Sequence, residues 1–172
     1  MNEGKDARRP SVLFVCLGNI CRSPLAEAAM VEAARERGLD VLVDSAGTGD
    51  WHIGHPPDAR AQAVAAAQGV DIAGLRARQV TAADFYRFDD IIALDRQNLA
   101  DLAAMRPADA TASLSLLLDH VPGREGQAVA DPYYGEEAGF ATTWADVMVG
   151  ARGLADEIAQ RPGSSGKRAS GT

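Results

Sequence analysis

Residues 12–28, VLFVCLGNICRSPLAEA, constrain the fold more than any other stretch of this chain. Val12, Leu13, Phe14 and Val15 form a short unbroken apolar run with β-branched and aromatic members, which reads as a buried strand. Ser23-Pro24 then opens a helix, with the serine as cap and the proline at the first helical position. Between them lie Cys16, Leu17, Gly18, Asn19, Ile20, Cys21 and Arg22. Gly18 and Asn19 tolerate positive φ, so the backbone is expected to curl and turn successive N–H groups inward. With the positive end of the helix dipole behind it, such a loop is expected to bind an anion with three or more oxygens.

The loop's side chains define a chemistry for that anion. Cys16 ends the strand and points into the N–H cradle, where the dipole and Arg22 favour its thiolate. Arg22 carries a planar fork that matches two phosphate oxygens. The Cys-x5-Arg spacing sets thiolate and guanidinium on one ring of backbone, an arrangement for in-line attack on phosphorus through a phosphocysteine intermediate. Ser23 is placed to hydrogen-bond the sulfur and ease its departure in the second step. Without its flanks the spacing fits a structural cysteine, an ordinary cap and a surface arginine equally well. The strand before and the Ser-Pro helix after favour an active site.

Farther along, strands and helices alternate. A helix over residues 23–37 is stopped by Gly38, and residues 41–45 form a second strand. A Gly/Pro-rich loop follows over residues 46–57, carrying Trp51, His52 and His55. Asp58 caps an alanine-rich helix that runs to Gln68 and ends at Gly69. Thr81-Ala82-Ala83-Asp84 is a capping-box variant that opens a short helix. Residues 90–94 and 114–118 supply two more strands, with a helix over residues 96–105 between them. A loop over residues 120–135 leads to a long helix over residues 141–160, whose apolar set Trp144, Val147, Met148, Ala151, Leu154 and Ile158 has helical spacing. The alternation predicts an α/β three-layer sandwich, a four-stranded parallel sheet flanked by helices, with ligands beyond the C-terminal strand ends. Residues 1–11 are expected to form a flexible arm, residues 12–160 one domain, and the Gly/Ser-rich basic residues 161–172 a disordered tail.

At 172 residues the chain suits a single core. A net charge of −7 argues against a nucleic-acid surface, though not against an anionic substrate held by a local field. No apolar run approaches a membrane span, and the polar N-terminus lacks the apolar centre of a signal peptide. Two cysteines five residues apart are no secreted disulfide framework, so a reducing cytoplasm is expected. His52, His55 and His120 stand at no ligand spacing with each other or with the cysteines; no metal or cofactor is expected.

The chain resembles the low-molecular-weight protein tyrosine phosphatases. The resemblance rests on VCLGNICRSPLAEA, on DSAGTGDW (44–51), ARQVT (77–81), LDRQNL (94–99) and DPYYG (131–135), in family order over most of the chain. It implies a strand order of 2-1-3-4 and the hydrolysis of phosphotyrosine in proteins, opposed to a tyrosine kinase, by a monomer or weak dimer. A phenolate leaving group needs a proton that a thiolate cannot give. Alone, Asp131-Pro132 reads as a turn; the resemblance implies that Asp131 is the general acid and then the base that activates water. It also implies that Trp51, Tyr133 and Tyr134 wall a slot for the phosphotyrosine ring, that Leu17 and Ile20 line its floor, and that Ser45 and Asn19 fix the loop. Arg78, Asp90 and Asp95 are expected to support the fold. One departure stands out: relatives commonly carry histidine where this chain has Leu75, which removes one hydrogen-bond partner from the loop network.

Related activities fit less well. Arsenate reduction on this fold needs further cysteines, and none follows Cys21. A phosphoarginine phosphatase, by family pattern, carries threonine at the Ile20 position and a less aromatic acid loop. A non-catalytic phosphopeptide binder has no use for Cys16, Arg22 and Asp131 together. Cys21 has two readings: a small residue packed under the loop, or a resolving thiol that captures an oxidised Cys16 as a disulfide.

Overall fold

The computed structural model describes residues 9–133 and 137–162. Residues 1–8 of the expected arm, residues 163–172 of the expected tail, and Tyr134 lie outside the described residues. The elements run β1 (Ser11–Cys16), α1 (Arg22–Glu36), β2 (Leu42–Gly47), α2 (Ala59–Ala67), α3 (Asp84–Arg87), β3 (Asp90–Ala93), α4 (Arg96–Met105), β4 (Ser113–Leu116), a 3-10 turn (Leu117–His120) and α5 (Glu137–Ala159). All strand pairs are parallel, in the order β2-β1-β3-β4, as expected.

The lack of alternation in β1 has a simple cause: helices cover both faces of the sheet. Val12, Phe14 and Cys16 point to one side, into a core shared with Leu25 and Ala29 of α1, Ala61 of α2 and Val147 and Leu154 of α5. Leu13 and Val15 point to the other, against Phe85 and Phe88 at α3 and Leu102 of α4. The expected apolar set of α5 is buried along its whole length. Each large side chain there contributes roughly 1.5–3 kcal/mol, so α5 is held by its stripe rather than by helix propensity.

Several local readings shift. Ser23 is not the cap of α1. That place falls to Cys21, whose side chain makes no capping bond, because the Ser23 hydroxyl is engaged at Cys16. Pro24 is the third helical residue, still within the first turn, where a missing N–H costs no intrahelical bond. β2 begins at Leu42 and extends to Gly47, which still pairs with Cys16. β4 ends at Leu116, where the Asp119 carboxylate accepts from the Leu116 N–H at 3.0 Å and closes a 3-10 turn. α5 begins at Glu137, four residues before the expected start at residue 141. Asp58 caps α2 by accepting from the Arg60 N–H at 2.8 Å, and Asp95 caps α4 by accepting from the Asn98 N–H at 2.7 Å. Arg161, read as tail, is anchored: its Nη1 lies 2.7 Å from the carboxylate of Asp90, which is buried. His120 is more than a loop residue. It bridges Ser115 Oγ at 2.8 Å and Glu157 Oε1 at 2.7 Å, joining β4 to α5.

Candidate active site

From β1 the chain crosses to β2 on one side, and β3 flanks β1 on the other. That reversal of winding opens a crevice beyond the C-terminal end of β1, and the residues after Cys16 fill its floor. Cys16 is 3% exposed. Its Sγ receives the Asn19 N–H at 3.3 Å and lies 3.1 Å from Ser23 Oγ. Among the described residues, the N–H groups of Leu17, Gly18, Ile20 and Cys21 donate to no backbone carbonyl. They lie at the amino end of α1, in the loop expected to supply donors to an oxyanion.

Only one of the two permissive positions is used for backbone curvature: Asn19 has φ 58°, whereas Gly18 stays out of the left-handed region. Gly18 supplies space instead, because a Cβ there would stand 2.9 Å from His52 Cδ2. Gly47 is needed for the same reason from below, where a Cβ would stand 2.7 Å from the Leu17 carbonyl oxygen. The loop is pinned to the end of β2 by the Thr48 N–H on Cys16 O and the Gly49 N–H on Leu17 O, each at 2.9 Å.

Arg22 is also buried, at 3%. Its Nη1 donates to Asp95 Oδ2 at 2.8 Å and to the Val129 carbonyl at 2.9 Å, while Nη2 stands 3.6 Å from Asp131 Oδ2. Asp95 therefore both caps α4 and holds the guanidinium that the loop needs. The cap has a local sequence signal; the contact with Arg22, across 73 positions, has none.

Asn19 ties the loop to its surroundings. Its Nδ2 donates to Ser23 Oγ at 2.8 Å and to Ser45 Oγ at 3.0 Å, and its Oδ1 accepts from the Arg78 N–H at 2.9 Å. Leu75 packs against the core; the Arg78 backbone occupies the Asn19 acceptor, so the network closes without a side chain from position 75. Ser45 passes its own proton to Glu27 Oε1 at 2.7 Å. Arg78 supports the fold as expected, pairing with Asp84 and with Asp44.

Glu27 was not singled out by sequence. Burial, with the Asp44 charge adding to it, raises its pKa from 4.5 to about 7, against the hydrogen bond from Ser45 and the charge of Arg78. The folded protein thus keeps a proton that the unfolded chain gives up between those values. The resulting stability is full below about pH 4.5 and is lost as pH rises through 7, on the order of 3 kcal/mol at most. Glu27→Gln, which is always neutral, is expected to melt close to wild type at pH 5 and several degrees above it at pH 8. An equal difference at both pH values in thermal melts would clear Glu27 of this role.

Cys21 is buried in the core and borders the cleft. Burial, followed by the charges of Asp58, Cys16 and Asp131, pushes its thiol well above the ordinary cysteine range. Both cysteines are free.

The cleft has a volume of about 380 Å³ and brings together Cys16, Leu17, Gly18, Ile20, Cys21, Arg22, Trp51, His52, Asp131 and Tyr133. Trp51 is 66% exposed, which makes it a wall and not a core residue. Its ring lies over Gly49, where a Cβ would come within 1.9 Å of it. Leu17, at 43% exposed, belongs to the rim more than the floor. His52 lies between His55 and Tyr133, with ring centroids at 5.8 and 6.4 Å; His55 stays on the exposed rim. The Asp131 side chain is 41% exposed, and its Oδ1 accepts from the Tyr133 N–H at 3.0 Å. That local turn aims the carboxylate over the Cys16 loop. Among the described residues no group of three or more His, Cys, Asp or Glu is placed to hold a metal ion, and no helix is long and apolar enough to cross a membrane.

The Cys16 thiol, the buried Arg22 and the Asp131 carboxylate thus border one cleft. The chain belongs to the low molecular weight phosphotyrosine protein phosphatase family, whose model matches residues 11–163. It is 46% identical to a low molecular weight protein-tyrosine-phosphatase of Bacillus subtilis over 126 residues, 72% of this chain and 81% of that protein. A crystal structure of a protein tyrosine phosphatase from Entamoeba histolytica superposes with a TM-score of 0.83 at 33% identity, covering 88% of this chain and 97% of that one. A Drosophila arginine phosphatase shares the fold at a TM-score of 0.81 and 33% identity, covering 88% and 99%. The chain is accordingly a phosphoric monoester hydrolase of the protein tyrosine phosphatase class.

Proposed function

We propose that phosphotyrosine hydrolysis runs through Cys16, Arg22 and Asp131. The observation that supports this reading is that the loop after Cys16 carries four N–H groups that, among the described residues, donate to no backbone carbonyl, with the Asn19 N–H on Cys16 Sγ and Arg22 fixed at the loop's end. In the first step Cys16 Sγ attacks phosphorus, the bond to the tyrosyl oxygen breaks, and Asp131 gives that oxygen its proton. The loop amides and Arg22 hold the three equatorial oxygens, where charge builds in the transition state. In the second step Asp131 takes a proton from water, water attacks phosphorus, and the sulfur leaves with the Ser23 hydroxyl hydrogen-bonded to it. Inorganic phosphate and the starting enzyme result. Ile20 and Leu17 line the path to the loop, and Trp51 and Tyr133 flank the aromatic ring. Cys21, held protonated by burial, is no competing nucleophile. Should peroxide oxidise Cys16, we take Cys21 as the thiol that captures it, slowly for the same reason.

We place this activity in the cytoplasm, acting on a tyrosine-phosphorylated protein as a monomer or weak dimer; the two free cysteines support a reducing compartment. Matched phosphotyrosine and phosphoarginine peptides test the substrate class. The phosphotyrosine peptide is expected to have the higher kcat/KM by about 10²-fold. Faster release of phosphate from the phosphoarginine peptide would overturn the assignment.

A further inference from the structure

Arg60, at the start of α2, takes no part in the chemistry above, yet it is linked to both sides of the cleft, to Tyr133 directly and to the Cys16 loop through Asp58. Asp58 holds it from below, Oδ1 to Nε and Oδ2 to Nη2, each at 3.0 Å. The Asp58 N–H donates at 2.8 Å to the carbonyl of Ile20, in the loop that carries Cys16. From its other end Arg60 Nη2 donates at 2.9 Å to the carbonyl of Tyr133, two residues beyond Asp131. The guanidinium also lies over two rings, 4.6 Å from the centroid of Phe140 and 5.6 Å from that of Tyr133. Phe140 is fully buried in α5, so the platform under the guanidinium is part of the core.

We propose that the Asp58–Arg60 pair is a strut that sets the spacing between the loop bearing Cys16 and the loop bearing Asp131, with Arg60 the positioning residue for the acid. The inference rests on Asp131 as the proton donor. Its physical basis is that Asp131 is exposed and, among the described residues, tethered by its own turn and the contact with Arg22, whereas the carbonyl two residues on is fixed to a rigid fork. A fork with fixed geometry transmits position; a lysine in its place would offer a single mobile charge. Proton donation is sensitive to such placement, since a displacement near 1 Å can cost about 10²-fold.

Arg60→Ala is expected to lower kcat on phenyl phosphate by about 10-fold to 10²-fold. In burst-phase formation of the phosphoenzyme, an ester whose leaving group departs without a proton should lose less than about twofold, since Cys16 and Arg22 remain in place. Arg60→Lys should recover little of the loss. In an Asp131→Asn background the Arg60 substitution should cost nothing further, because its effect runs through the missing acid. Equal losses on both esters, or an additive loss in the double variant, would overturn the strut. Hydrogen exchange of the backbone amides of residues 129–133 gives a reading independent of the acid. It should accelerate in Arg60→Ala, and unchanged exchange would overturn the strut even if Asp131 proves to be the donor. A failure of Asp131 itself would show differently, as equal losses on both esters in Asp131→Asn alone.

Discussion

Replacing Cys16 by serine is expected to abolish phosphomonoester turnover, by roughly 10⁵-fold or more, while inorganic phosphate still binds. In the proposed mechanism the donors that hold the oxyanion are the loop amides and Arg22, and none of them depends on the sulfur. The nucleophile does depend on it. A serine hydroxyl in the same cradle is a far weaker nucleophile at neutral pH, and no adjacent base takes its proton: Ser23, its nearest partner, is itself a hydroxyl. Phosphate titration by calorimetry together with a phenyl phosphate assay separates binding from chemistry. Near-wild-type turnover in Cys16→Ser would end the assignment of the nucleophile.

Asp131→Asn is expected to lower kcat on phenyl phosphate by about 10²–10⁴-fold. The substitution is conservative in shape, because the amide oxygen can still accept from the Tyr133 N–H that shapes the turn. What it removes is the proton for the departing phenolate and the base for the incoming water. An ester with a strongly acidic leaving group needs no proton in the first step and should lose much less in burst-phase measurements of phosphoenzyme formation. Equal losses for both esters would take Asp131 out of the acid role.

The parts of the site legible in the sequence were those written in short-range code. The β1 run, the seven-residue loop and the helix after it are contiguous, so Cys16, Arg22 and Ser23 could be placed against one another from spacing alone. Asp131 and Trp51 lacked such a local frame, and their roles came through the resemblance. Less legible was everything that depends on two distant segments meeting. Asp95 on Arg22, and Arg60 on Tyr133, each span 73 positions, and no periodicity links such partners. Ser23 shows the opposite failure. Its local pattern reads correctly as a helix start, but the hydroxyl serves the sulfur, because a tertiary partner outcompetes a capping bond. The left-handed turn was foreseen at two residues and found at one, since Gly18 is required for its lack of bulk against His52 rather than for its dihedral freedom.

The Asn19 side chain gives the network a direction. A backbone N–H can only donate, so the atom facing Arg78 must be the amide oxygen, and the NH₂ group must face the two serines. Ser23 Oγ thereby accepts a hydrogen bond from Asn19, and among the described residues its own single hydrogen has two acceptors in reach, Cys16 Sγ at 3.1 Å and the Ala46 carbonyl at 3.4 Å. The closer of these, and the charged one once the thiol ionises, is the sulfur. One peptide N–H nearly sixty positions from Asn19 thus acts as a polarity lock, turning a set of reversible hydroxyls into a one-way chain that ends with a donor on the nucleophile. An aspartate at position 19, with acceptors at both ends, would invert that chain and draw the Ser23 hydrogen away from the sulfur.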